Sequence, residues 1–426
     1  MHIMKQIIIK LRYYSDQEQS SLLIPVILFF IFLMLFTPNF WFTSDLDCWK
    51  YWSWYTDQEG MNQAYHCGTN YPPIYLYILR FFDILMGGHE NALLHYSRIK
   101  WITLLFDFLP VLIMFFAGMR ALMQKNEHWL LLFNAAYLFN TLAWGQIDAI
   151  HSNLSLLAIV LAIRYPMLAA SVFIIALNTK LQAIIFFPII GIMILPHLLS
   201  FKNWIKISLA AVLTELAIVF PFLLAGEFKN YFEVMVDSVD YFKLASLNAY
   251  NFWHLILSAD PITVSDQDTF LAITYKQWGL LLFCGSSALV LIPLLKKVLK
   301  QGFQFLSDKK GKELVFLSAA MISLSFFFFN TQMHERYSHP AMIFLFFYAL
   351  FSRDFIPYIL VSIAYLLNME RILEFFDVPY YTFIFIPEFS ASLFLIALIL
   401  IYKNLFRDFL MKNGSKNEAD SAPNAA

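Results

Sequence analysis

The chain has 426 residues, of which 60% are hydrophobic, 18% aromatic and 14% charged, with a formal net charge of −1. That charge content is about half of a soluble protein's and points to a polytopic membrane protein. The near-neutral balance excludes a nucleic-acid partner, which requires a basic face.

In chain order, Lys5, Lys10 and Arg12 precede an apolar run at 22–36. No small-residue cleavage site follows, so the run reads as a first membrane span rather than a signal peptide, with Pro38, Asn39, Phe40 and Trp41 as an interfacial aromatic belt. The stretch 41–73 is polar, aromatic and acidic: Ser44-Asp45-Leu46-Asp47, then Trp49, Tyr51, Trp52, Trp54 and Tyr55, closing on Asn70-Tyr71-Pro72-Pro73. Residues 74–86 are too short, and too charged at Arg80 and Asp83, to span; they read as an amphipathic helix in the interface. Further apolar runs at 99–119, 129–143, 149–163, 167–177, 181–199, 204–224, 275–295, 313–329, 340–351, 355–367 and 383–402 give an expectation of about twelve spans, ten to thirteen at the limits.

The expected fold is therefore all-α, a polytopic transmembrane helical bundle, as one domain over 1–410 with a disordered cytoplasmic tail at 411–426. Lys296, Lys297, Lys300, Lys309, Lys310 and Lys312 share one interhelical region, which the positive-inside rule places in the cytoplasm with both termini. The parity of twelve spans then puts every unusual polar segment outside: a first loop at 39–98, then 144–148, 178–180, a second large loop at 227–274, 330–339 and 370–381. Cys48 and Cys67 fall in one outer loop, either as a disulfide or as two free thiols.

Those outer segments carry the chemistry. Asp45 or Asp47 alone is ordinary loop charge; beside the other polar segments, either becomes a candidate base. Trp144-Gly145-Gln146-Ile147-Asp148, with His151 and Asn153, opens a span with hydrogen-bonding side chains at its outer end. Asp107 lies about two turns inside its span, where an ionisable group needs a partner or a cavity. Lys180 adds a cation on the same face. His334, Glu335, Arg336 and His339 form either a solvated turn or an anion-binding corner, in which a planar guanidinium offers a fork to phosphate and imidazoles donate beside it. An acidic loop and a basic loop on one membrane face suit transfer of a group from a lipid phosphate.

Four motifs carry a resemblance: Tyr71-Pro-Pro-Ile-Tyr-Leu-Tyr77, Trp144-Gly-Gln-Ile-Asp148, Ser246-Leu-Asn-Ala-Tyr-Asn-Phe-Trp253 and Met333-His-Glu-Arg-Tyr337. In this order they resemble the bacterial integral-membrane mannosyltransferase-like proteins related to the enzyme that adds the second mannose in GPI-anchor synthesis, which belong to the GT-C glycosyltransferases. The chain departs from that pattern at Thr179-Lys180-Leu181-Gln182, where related proteins often carry Lys-Pro-Gln. The resemblance implies a GT-C bundle with an extracytoplasmic active-site cavity in the bacterial cytoplasmic membrane. It also implies a polyprenyl-phosphate-linked monosaccharide donor and a glycan, lipid or protein acceptor. By position Asp45 matches the catalytic base. Asp47, Trp52, Tyr71, Gln146, Asp148, His151 and Asn248 are candidates to hold acceptor or sugar; Lys180, His334, Arg336 and His339 to hold the donor phosphate; Asp107 and Glu335 to support them. Asp45 and Asp47 have the D-x-D spacing that holds a divalent cation on a diphosphate. A monophosphate has less need of one, so no obligatory metal or other cofactor is expected and a divalent cation remains the alternative. Two other readings stand beside transfer: a lipid-linked sugar flippase or transporter, and an oligosaccharide ligase or polymerase.

Overall fold

The computed structural model describes residues 17–39, 43–116 and 126–420. The basic segment with Lys5, Lys10 and Arg12, the Phe40–Trp41 part of the expected belt, and part of the expected tail lie outside the described residues. The chain is helical almost throughout. Its one described sheet is a hairpin, β1 (Thr269–Phe270) against β2 (Ile273–Thr274), in the second large loop.

Among the described residues, seven helical stretches are long and apolar enough to cross a membrane: Tyr96–Phe116, Leu181–Leu199, Phe201–Leu224, Tyr275–Gln301, Lys309–Phe329, Ile356–Leu373 and Pro387–Phe406. Four shorter apolar helices accompany them, at Leu23–Leu35, Asp148–Ala162, Pro166–Leu177 and His339–Ser352. The protein is an integral membrane protein. Its outer helices show why: along Phe201–Leu224, Leu209, Val212, Leu213, Leu216 and Phe220 are all exposed, a face that water would not tolerate and lipid would.

In order, α1 is Gln17–Leu35, α2 Thr43–Gln58, α3 Pro73–Leu85, α4 His89–Leu94 and α5 Lys100–Phe116. Then come α6 (Trp129–Leu132), α7 (Ala135–Phe139), α8 (Asp148–Ala162), α9 (Pro166–Leu177), α10 (Phe187–Ile194) and α11 (Phe201–Leu224). The second large loop carries α12 (Phe228–Asp237) and α13 (Phe252–Ile256); α14 (Tyr275–Gln301), α15 (Lys309–Phe329), α16 (His339–Ser352), α17 (Ile356–Leu373) and α18 (Pro387–Asp420) complete the chain. At the centre is α16, buried from His339 through Phe351 and packed between α15, α17 and α8. Its length of roughly 21 Å is short of a bilayer core. Protein rather than lipid surrounds it, so it need not match the bilayer.

The structure corrects the sequence reading at one span. The run at 129–143 is not one helix: it breaks between α6 and α7 and ends in a π turn, Asn140–Trp144, closed by Gly145 at φ 84°. The polar and aromatic stretch after the first span forms the helix α2. Leu46, Trp49, Trp52, Ser53 and Thr56 are buried along one stripe, the three-to-four spacing of a helix face. The charges that seemed to mark the next segment as interfacial are structural partners of that helix. Ser53 Oγ donates to Asp83 Oδ2 at 2.6 Å, His89 Nδ1 lies 3.2 Å from the same oxygen, and Arg80 pairs with Asp57. Helix α3 is still amphipathic, with Phe81, Ile84 and Leu85 exposed opposite its packed face.

Candidate functional site

Five chain segments that are far apart in sequence deliver polar side chains to one end of the bundle: the first turn of α2, the turn before α8, the turn after α9, the loop before α16 and the second large loop. The turn before α8 depends on Gly145, whose left-handed conformation a side chain would strain. It lets Gln146 N donate back to Asn140 O at 2.9 Å and points the buried Gln146 amide at α2, where Nε2 donates to Asp45 Oδ2. Arg336 Nη2 stands 3.6 Å from the same carboxylate oxygen. Asp45 is thus held from two sides, yet its side chain keeps 28% exposure. It lies on the wall of a small cleft of about 10 Å³, room for one water-sized group, lined also by Trp49, Tyr96, Lys100 and Trp144. A carboxylate oriented by donors and open on one side can accept a proton from a hydroxyl that enters the cleft.

A second layer lies beside it. Arg336 Nη1 donates to Glu335 Oε1 at 2.7 Å, and Lys180 Nζ donates to Asp148 while standing 4.6 Å over the Tyr337 ring. Both cations are therefore already paired with carboxylates. Burial pushes the Glu335 carboxyl above its ordinary range, against the pull of Arg336, so its neutral form is accessible. His334 is driven well below its ordinary value, by burial first and then by the charges of Arg336 and Lys180, and is a neutral donor or acceptor. Burial also lifts the Tyr71 phenol, with Asp45 adding to it.

The second large loop builds the frame. The last carbonyls of α15 have no partner within their helix. Asn251 Nδ2 donates to Phe327 O at 3.2 Å, and Trp253 Nε1 to Phe329 O at 3.1 Å. Leu247 N donates to Met333 O at 2.9 Å, and Gln332 Nε2 bridges Asp240 and Asp266 at 2.6 and 2.7 Å. The Ser246–Trp253 motif therefore positions the Arg336 loop. Asn248, at φ 66°, meets His334 through its backbone and accepts from Asn368 Nδ2 at 2.8 Å.

Of the residues singled out by sequence, Asp45, Gln146, Asp148, Lys180, His334, Glu335 and Arg336 come together. Asp47 does not: two residues along a helix turns it some 200° away, its side chain is 74% exposed, and among the described residues its ion-pair partner is Lys50 at 3.9 Å. The D-x-D pair thus cannot close on one ion. Among the described residues no group of three or more His, Cys, Asp or Glu side chains could hold a metal. Trp52 and Tyr71 meet in a tilted contact, ring centroids 5.4 Å apart, and Tyr71 and Tyr75 meet likewise at 5.4 Å. His339 is not in the Arg336 corner; it lies one layer deeper, its ring stacked on Tyr137 at 5.1 Å and its Nδ1 3.3 Å from Tyr365 Oη. His151 is deep as well, fully buried with Nε2 3.6 Å from Asp148. Asp107 is buried, with Thr141 and Tyr137 as its polar neighbours. Cys48 and Cys67 are both free.

Sequence reasoning missed Lys100, which is buried and donates to Pro38 O at 3.0 Å and Leu142 O at 2.6 Å on the cleft wall. Its position just after the outer loop, at the head of an apolar run, was the available signal. It missed Tyr337 as the ring under Lys180, although the motif containing it was in view. No family model matches the chain, and no curated protein matches it significantly.

Proposed function

We propose that the protein is a membrane glycosyltransferase that moves a monosaccharide from a polyprenyl-phosphate carrier to a hydroxyl acceptor at the outer face of the membrane, in a GT-C-type bundle of twelve passes with both termini cytoplasmic. The observation that carries this reading is Asp45, held by Gln146 and Arg336 at the wall of an aromatic cleft, with Lys180 and Arg336 as the nearby cations. Asp45 takes the proton of the acceptor hydroxyl. The acceptor oxygen bonds to the anomeric carbon as the bond from that carbon to the phosphate oxygen breaks, and the electron pair leaves with the lipid phosphate. Arg336 and Lys180 hold the developing charge, and a protonated Glu335 frees the Arg336 fork for it.

Transport of a lipid-linked sugar is the second reading, favoured by the polar groups that continue inward from the site through His151, His339 and Asp107. Purified protein in liposomes, given a panel of radiolabelled polyprenyl-phosphate sugars and a membrane-lipid acceptor extract, separates the two. Transfer of label with release of free polyprenyl phosphate is the expected outcome. Movement of intact donor across the bilayer without transfer would replace the enzyme by a transporter.

A further inference from the structure

Helix α12 has more apolar surface than the protein covers. The membrane helix α11 ends in a Schellman turn, in which Glu227 N donates to Phe222 O at 2.8 Å and Gly226 N to Leu223 O at 3.3 Å, with Gly226 left-handed at φ 75°. Helix α12 starts two residues later and stays beside α11 instead of rising away from it. The Tyr231 ring stacks on Phe222 at 6.0 Å, and its hydroxyl donates to Glu215 Oε1 at 3.3 Å. Glu215 lies nine residues before the end of α11, about 13 Å back along the helix axis. A tyrosine that reaches back along a membrane helix in this way places α12 at the edge of the apolar belt.

At 100° per residue α12 divides into three strips. Tyr231 and Met235 are buried against the protein. Phe228, Phe232 and Val236, four residues apart, form the neighbouring strip and are exposed by 40%, 57% and 54%. Lys229 and Glu233, paired at 3.6 Å, stand beyond it. The protein thus covers one half of the apolar arc and leaves the other half bare. That bare half adjoins the lipid-facing end of α11, where Phe220, Leu223 and Leu224 are exposed as well. Lys229 is balanced by Glu233 and Asp237, so α12 has no basic face with which to seek anionic head groups.

We propose that α12 lies in the plane of the membrane, with Phe228, Phe232 and Val236 immersed where head groups meet acyl chains, so that bilayer lipid covers the bare strip. The seat has a consequence for the site. Asp240, three residues beyond the helix, accepts from Lys276 Nζ at 2.7 Å and from Gln332 Nε2 at 2.6 Å. Helix α12 therefore fastens the loop that carries Arg336 to the bilayer surface. This role does not depend on the proposed transfer reaction.

The test uses the full-length protein in lipid nanodiscs, with its three cysteines replaced by serine and a nitroxide attached at Phe232→Cys or, on the charged strip, at Glu233→Cys. Power saturation in electron paramagnetic resonance compares collisions with oxygen, which concentrates in lipid, and with a water-soluble nickel chelate. At position 232 oxygen collisions exceed nickel collisions, in phosphatidylcholine alone and with phosphatidylglycerol added; at 233 nickel dominates. Phe228→Cys and Val236→Cys follow 232, so the comparison stands if one variant does not fold. A label at 232 as open to nickel as that at 233 overturns the proposal and places the strip in water. Immersion only with the anionic lipid overturns the apolar basis of the seat. Shielding from both reagents also overturns it, since protein then covers the strip, and spin–spin broadening would identify that protein as a second copy of the chain.

Discussion

Arg336 is the residue on which most of the site's electrostatics converges. It stands between Asp45 and Glu335, so its charge is spoken for until one of them is neutralised or displaced. Because burial raises the Glu335 carboxyl, the neutral acid persists above the usual carboxylate range. Arg336 is then available to phosphate at low pH and progressively recaptured as pH rises through the raised value. Donor affinity should accordingly fall with rising pH in the parent, and Glu335→Gln should bind donor with a flat profile; an unchanged slope in that variant would remove Glu335 from the role. Arg336→Ala should weaken donor binding by on the order of 2–5 kcal/mol, with Arg336→Lys between it and the parent, because a point charge does not replace a fork. His334 is held neutral by burial and by the two cations. His334→Gln, also neutral and able to donate, should keep turnover within a few-fold and leave the pH profile from 6 to 8 unaltered.

At the scale of elements, the Arg336 loop is only as well placed as the helices that carry it. Gly279 of α14 packs against its first residues: a Cβ there would stand 2.6 Å from Phe329 O and 3.1 Å from Asn330 Cα. Gly279→Ala should destabilise the protein by about 1–3 kcal/mol and lower transfer as the loop shifts, read as a lower Tm in detergent together with a reduced rate. An unchanged Tm would mean that the loop is not clamped there. This placement was beyond the sequence, since nothing local marks Gly279 as a neighbour of Asn330. Helix α2 was legible: Leu46, Trp49, Ser53 and Thr56 carry its spacing, but the polar and aromatic content of the stretch drew attention from the period. The break at 133–144 was signalled only by Asn134, which caps α7 by accepting from Tyr137 N at 3.1 Å, and by Gly145, two marks in an otherwise apolar run.

For the whole molecule, apolar runs located the membrane helices well, because hydropathy reads burial in lipid directly. The same property conceals which helices touch lipid and which, like α16, touch only protein. Asp45, Gln146, Lys180 and Arg336 converge from polar segments that the sequence already set apart from the apolar runs. Asp47 is turned away from Asp45 because a helix faces residues two apart in different directions, and the His339 ring packs on Tyr137. The inferred topology predicts that, in a background with the three cysteines replaced by serine, Leu271→Cys reacts with an impermeant thiol reagent on intact cells. Ser307→Cys should react only after permeabilisation; both positions are exposed. The reverse pattern would invert the protein.

The central claim is that the cluster at that outer end performs transfer with Asp45 as base, and a single-turnover comparison of the parent with Asp45→Asn on preloaded polyprenyl-phosphate sugar tests it most directly. The account predicts that the variant binds donor as the parent does and transfers it roughly 10²–10⁴-fold more slowly. Transfer at the parental rate by a folded Asp45→Asn would contradict it.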